Sequence, residues 1–259
     1  MARRADEAVA TTLSGPWRIR DAQRAGWIIG LAVALPAAAA LLASYGAGTA
    51  LRFATGAALA AGIQWLVIGA LRRRIGPERA SPADLVTLLR AALSMLLVGL
   101  VASGVADRLG AAGWLACAAA LLGATVTDWL DGPLARRYGP TRLGGALDIE
   151  TDSWLTLWSA AAAIALGGLA LWCLAPPLAR YLHPARALLR GGLPAGGGPW
   201  WGRVSGVAQM ALFIAALLPV QFPLRDATLA AVSLPICAAQ LIVQLALLLI
   251  PGRAPARTG

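Results

Sequence analysis

The chain contains no lysine; all 22 of its basic residues are arginine. That excludes a phosphate-loop lysine, a Schiff-base lysine and a serine–lysine dyad. Histidine is nearly absent, with His183 alone, so a two-histidine zinc site on a helix is ruled out. As a single residue near an apolar run, His183 reads as interfacial rather than as a base. The three cysteines, Cys117, Cys173 and Cys237, stand far apart in apolar surroundings. They indicate neither a paired-cysteine metal site nor a disulfide framework and read as buried thiols. Charge is scarce: 13% of the 259 residues are charged and 59% hydrophobic, where a soluble domain carries about 25% charged residues. Such a chain would precipitate in water, which excludes a free soluble enzyme. What remains is a membrane protein whose chemistry runs on carboxylates and arginines.

The apolar residues fall into eight runs, 27–45, 51–71, 83–103, 111–132, 145–167, 169–183, 204–221 and 227–250. Crossing about 30 Å of hydrocarbon takes roughly 20 helical residues, so the expected fold is all-α and polytopic. The sixth run is the weakest. It is short, follows Gly167-Gly168 and contains Pro176-Pro177, so a kinked or tilted segment is expected. Residues 184–203, rich in glycine and proline, read as a loop. Residues 1–25 read as an arginine-bearing arm with an interfacial amphipathic helix around Pro16–Ala25.

Arginine placement orients the bundle. With the N-terminus in the cytosol, the inside segments receive Arg3, Arg4, Arg18, Arg20 and Arg24, then Arg72, Arg73, Arg74 and Arg79. They also receive Arg136, Arg137 and Arg142, then Arg186, Arg190 and Arg203, and finally Arg253 and Arg257. The outside loops receive only Arg52, Arg108 and Arg225. The alternation is unbroken and puts both termini in the cytosol of an inner-membrane protein. The net charge of +10 then reads as attraction to an anionic lipid leaflet. Nucleic-acid binding is not indicated, because no basic stripe is interleaved with aromatics.

Five of the twelve acidic residues lie between positions 128 and 152. Asp128 and Asp131 are spaced i, i+3 at the end of the fourth run, and Asp148 and Asp152 are spaced i, i+4 at the start of the fifth. Each pair shares one helix face. The short connection makes the two helices antiparallel neighbours, so four carboxylates converge at one depth. Glu150 points elsewhere. Either pair alone is ordinary helix-end decoration. Together they cost several kcal/mol to desolvate and repel one another, and hard cations, Mg²⁺ or Mn²⁺, are the natural compensation. Gly132 and Ala135 would let a phosphate approach the backbone, and Arg136 offers it a guanidinium.

These residues resemble the CDP-alcohol phosphotransferase (CDP-alcohol phosphatidyltransferase) family, whose pattern is D-x2-D-G-x2-A-R-x8-G-x3-D-x3-D. Here it reads Asp128, Asp131, Gly132, Ala135, Arg136, Gly144, Asp148 and Asp152, with seven rather than eight residues between Arg136 and Gly144. Upstream, residues 81–94 resemble the family's first core helix, with Asp84 in place of an asparagine. Downstream, residues 202–206 resemble its Gly-Lys/Arg segment. The resemblance implies an arm at 1–25, two added transmembrane helices within 26–80, a six-helix catalytic membrane domain at 81–251 and a tail at 252–259.

It also implies a phosphatidyl or phosphoalcohol transfer from a CDP-linked donor such as CDP-diacylglycerol to a hydroxyl acceptor. CMP is released, two metal ions sit at Asp128, Asp131, Asp148 and Asp152, and Asp152 is the general base. Asp84, Thr87 and Arg90, with Gly132, Ala135, Arg136 and Gly144, would face the nucleotide and phosphates. Asp84 reads equally well as helix-dipole decoration. Arg180 and Arg203 are candidates for the acceptor, and the unit would be a homodimer. Arg186 and Arg190 read as positive-inside residues. The alternative is a cation-coupled transporter, which would put ionisable groups at the bilayer midplane of a repeated fold. Here they gather at one border and no repeat is visible.

Overall fold

A computed structural model describes residues 22–75, 80–166, 168–189, 200–220 and 225–249. The expected arm, most of the amphipathic helix, the tail and residues 190–199 of the loop lie outside them. The described residues are all-helical: α1 (Ala22–Tyr45), α2 (Ala47–Ile75), α3 (Pro82–Ser103), α4 (Val105–Leu109), α5 (Ala111–Tyr138) and α6 (Arg142–Ala165). A 3-10 turn at Leu171–Leu174 leads into α7 (Ala175–Arg180), α8 (Leu182–Leu189), α9 (Trp200–Leu217) and α10 (Arg225–Leu249).

Five of these helices, α1, α2, α3, α5 and α10, are long and apolar enough to cross a membrane. Eight runs were expected, and the other three differ for physical reasons. Helix α6 carries Asp148, Glu150 and Asp152 within its first half. Helix α9 has only 18 residues and includes Arg203 and Gln209. The sixth run is broken, because Pro176 and Pro177 start a new helix behind the 3-10 turn and lack the N–H groups that would continue the previous one. Residues 184–189, expected as the start of the loop, belong to α8. Helix α5 continues through Pro133 to Tyr138, six residues past its expected end.

Helix α3 is the axis of the bundle and packs against α1, α2, α5 and α6. Lipid is as apolar as leucine, so helices associate there through close packing of small residues. A Cβ on Gly56 of α2 would lie 2.6 Å from the Ala102 methyl, and one on Gly99 of α3 would lie 2.7 Å from the Phe53 ring. The two glycines therefore let α2 and α3 touch. Around this contact Phe53, Leu97, Leu121, Leu155, Phe213 and Leu217 form one buried cluster drawn from α2, α3, α5, α6 and α9. Outward-facing leucines such as Leu35, Leu59, Leu66 and Leu234 stay exposed, as a lipid-facing surface requires.

The start of α3 is held by its own sequence. Ser81 and Asp84 form a capping box: Ser81 N donates to Asp84 Oδ2 at 2.7 Å, and Asp84 N donates to Ser81 Oγ at 3.4 Å. Pro82 follows the cap, where its missing N–H costs nothing. Between α5 and α6 only residues 139–141 intervene, with Gly139 at φ 84° and Thr141 capping α6. The starts of α3 and α6 and the end of α5 therefore lie together. Arg90, Asp128, Asp131, Asp148 and Asp152 are 6 to 10 residues in from those ends, or about 9–15 Å by helical rise.

Candidate active site

The four aspartates of the two pairs meet as their spacing predicts, and one oxygen each from Asp128, Asp131 and Asp148 lies within 4.8 Å of the others. Arg90 of α3, fully buried, supplies the counter-charge. Its Nη1 donates to Asp148 Oδ1 at 2.8 Å and to Asp152 Oδ1 at 2.5 Å. Its Nη2 lies 3.1 Å from Asp128 Oδ1 and donates to Asp131 Oδ2. Its Nε donates to Thr127 Oγ1 at 3.4 Å. One planar guanidinium thus spans both acidic pairs, which a lysine ammonium could not do.

Arg180, at the end of α7, approaches from the other side. Its Nη2 donates to Asp152 Oδ2 at 3.3 Å and its Nε to Ser153 Oγ at 3.0 Å. The break after Arg180 and the two prolines before it deliver this side chain to α6. Asp128 and Asp148 are the open members, with side chains 46% and 43% exposed, against 27% for Asp152 and 15% for Asp131. Asp131 is therefore the most covered of the four.

Four carboxylates against two guanidinium groups leave a formal charge of −2. That excess and the oxygen-only donor set fit a hard divalent cation. The nearly half-exposed Asp128 and Asp148 offer it a way in, so Asp128, Asp131 and Asp148 could hold the metal with Asp152 beside them.

The other expected residues divide into two groups. Asp84, Thr87 and Gly144 are employed within the fold. Asp84 is buried and, besides its part in the cap, accepts from Thr141 Oγ1 at 3.0 Å on both oxygens. Thr87 Oγ1 donates to the Ala83 carbonyl at 3.2 Å. A Cβ on Gly144 would lie 2.0 Å from Asp84 Oδ1 and 2.7 Å from Thr141 Oγ1, so Gly144 is the glycine that lets α6 seat against the α3 cap. Gly144→Ala is expected to lower stability by about 1–3 kcal/mol through overpacking, read as a lower Tm. An unchanged Tm would show that the joint tolerates a methyl group.

Gly132, Ala135 and Arg136, by contrast, stay open. Gly132 and Ala135 are half-buried and Arg136 is exposed. A Cβ on Gly132 would meet only Arg136 Nη1, at an ordinary 3.6 Å. Arg203 is exposed on the first turn of α9 and takes no part in the ion pairs described. Glu150 is buried on another face of α6, as expected. Thr127, Ser153 and Thr141 escaped sequence reasoning, because hydroxyls beside aspartates carry no distinguishing pattern.

A hollow of about 300 Å³ lined by Gly110, Trp114, Leu218 and Arg225 lies elsewhere. It opens at the start of α5, about 26 Å along the helix from Asp128. The chemistry is therefore assigned by the carboxylates rather than by the size of a cavity.

Fold and site together define a polytopic helical membrane protein with a carboxylate-rich centre suited to phosphate chemistry. A family model for CDP-alcohol phosphatidyltransferase matches residues 81–249, from the cap of α3 to the last residue of α10. The chain belongs to this family, whose members transfer a phosphatidyl-type group from a CDP-alcohol in phospholipid biosynthesis. No curated protein and no solved structure matches it. Helices α1 and α2 lie outside the matched segment.

Proposed function

We propose that the protein transfers a phosphatidyl group from a CDP-linked lipid, of which CDP-diacylglycerol is the type, to a hydroxyl acceptor and releases CMP. The transfer would depend on Mg²⁺ or Mn²⁺, with two ions held by Asp128, Asp131, Asp148 and Asp152. The observation that carries this reading is the convergence of three carboxylate oxygens within 4.8 Å at the meeting of α3, α5 and α6. When bound, the metal neutralises the diphosphate and eases the departure of CMP.

The chain's own residues do the rest. Asp152 accepts the proton of the acceptor hydroxyl as that oxygen bonds to the β-phosphorus and the bond from phosphorus to CMP breaks. Arg180, donating to Asp152 and Ser153, keeps that carboxylate aimed and offers its remaining N–H groups to the acceptor. Gly132 supports a close approach of the donor. A glycine within a helix costs about 1 kcal/mol relative to alanine, and no neighbour here demands one. Ala135 continues that strip, and Arg136 is placed to pair with a donor phosphate. Arg203, exposed at the start of α9, would attract an anionic acceptor from further out. The excess of arginine on one side supports a cytosolic active face and cytosolic termini. Family resemblance supports a homodimer.

The test is CMP release from CDP-diacylglycerol by purified protein, with Mg²⁺ or Mn²⁺ and with chelator. The acceptor panel comprises glycerol 3-phosphate, an inositol phosphate, serine and a phospholipid alcohol. Metal-dependent release with at least one acceptor is expected. No release with any acceptor would contradict the proposal.

A further inference from the structure

Helix α2 lies outside the segment shared with the family, yet it places an amide against the helix that carries Asp148 and Asp152. Gln64 is fully buried, at 0% exposure. Its Nε2 donates to Thr151 Oγ1 across a long 3.5 Å, and its Oε1 is buried with no partner. Apolar contacts flank it. Trp65 and Ile68 pack with Leu88, Leu143 and Leu147 on one side, and Ala60 and Ala61 pack with Trp154 on the other. Trp65 is itself clamped, stacked on Trp27 at 4.9 Å. A leucine at position 64 would serve this packing without burying an amide oxygen that has no partner. Retaining a half-satisfied amide in such a place calls for a reason other than stability.

The reason lies in the direction of its bond. Side chains on a helix turn by about 100° per residue. Thr151 and Ser153 therefore project about 200° apart, with Asp152 between them. Gln64 holds Thr151 from one side and Arg180 holds Ser153 from the other. Apolar packing alone lets a helix roll by small steps, whereas two hydrogen bonds on opposite flanks resist rotation either way. A roll of about 10° moves a carboxylate by roughly 1 Å, which is enough to cost about a hundredfold in rate.

We infer that Gln64 is a positioning residue that fixes the rotation of α6, so that the added helix pair is part of the catalytic unit rather than only an anchor. The inference rests on the transferase reading of the site. Its test uses full-length purified Q64L, T151V, T151S and the double variant Q64L/T151V. The readouts are kcat and KM for CMP release, Mn²⁺ affinity by electron paramagnetic resonance, and Tm.

Q64L is expected to keep or raise Tm while kcat falls about tenfold or more at unchanged donor KM, with Mn²⁺ bound more weakly because Asp148 is misaimed. T151V should match it, the double variant should be no worse than either single one, and T151S should retain wild-type behaviour. Wild-type kcat and Mn²⁺ affinity in Q64L would overturn the inference. So would additive losses in the double variant, or damage in T151S equal to that in T151V. If Q64L does not fold, the T151V and T151S pair decides. If the wild type releases no CMP, the transferase reading fails, and Mn²⁺ affinity in the variants still decides whether Gln64 aims the carboxylates.

Discussion

Asp152→Asn is expected to slow CMP release by about 10²–10⁴-fold, the range that a positioned general base contributes, while CDP-donor binding stays measurable. The substitution is nearly isosteric. Arg90 donates to one oxygen of Asp152 and Arg180 to the other. Asparagine keeps a single acceptor oxygen and so one of these two bonds, and it cannot take up a proton at the moment of attack. A fall confined to kcat, in steady-state and single-turnover assays, is the signature of a lost base rather than a lost binding contact. Near-normal turnover would remove Asp152 from that role.

The second large effect is expected at Arg90. Arg90→Met removes the buried counter-charge while keeping much of the side chain's length. Breaking a buried ion pair from one side typically costs about 3–5 kcal/mol, because the partner charge is left uncompensated. Here four carboxylates lose the same partner. The variant is expected to melt well below the wild type in chelator and to recover part of the difference when Mg²⁺ or Mn²⁺ is added. A divalent cation at about 100 times its dissociation constant adds roughly 2.7 kcal/mol. Arg90→Lys is expected to fall between the two, since an ammonium keeps the charge without the planar fork. Equal Tm for wild type and Arg90→Met in chelator would show that the carboxylates do not depend on Arg90.

Much of this was legible in the order of residues. The DxxD and DxxxD spacings place each pair on one face, and the short link between them forces their helices side by side. Pro176-Pro177 announced the broken sixth segment. Other features follow from how helices face one another, which a single chain's periodicity does not specify. Arg90 sits in an apolar run, and nothing in that run says whether it snorkels to the interface or turns inward to four aspartates. Gln64 is one amide in an alanine-rich stretch until α2 is seen against α6.

Asp84 was a different kind of ambiguity. Ser81 and Asp84 carry the spacing of a capping box, and that local role, extended by Thr141, accounts for the side chain. Gly144 belongs to the same joint, so two positions of the nucleotide-facing set are explained by packing. The apolar run stops at Gly132, but the helix does not stop with it. A proline costs a helix one backbone hydrogen bond, here the one to the Trp129 carbonyl, and the helix continues to Tyr138.

The arrangement at the centre is tested most directly by locating Mn²⁺. Crystals of the purified protein grown with saturating Mn²⁺ would show the ion by its anomalous scattering. It is expected among Asp128, Asp131 and Asp148, with Asp152 adjacent, and expected to vanish in Asp128→Asn/Asp148→Asn. Mn²⁺ bound elsewhere, or four carboxylates still held by Arg90 with no ion among them, would contradict a metal-dependent transferase centred on these residues.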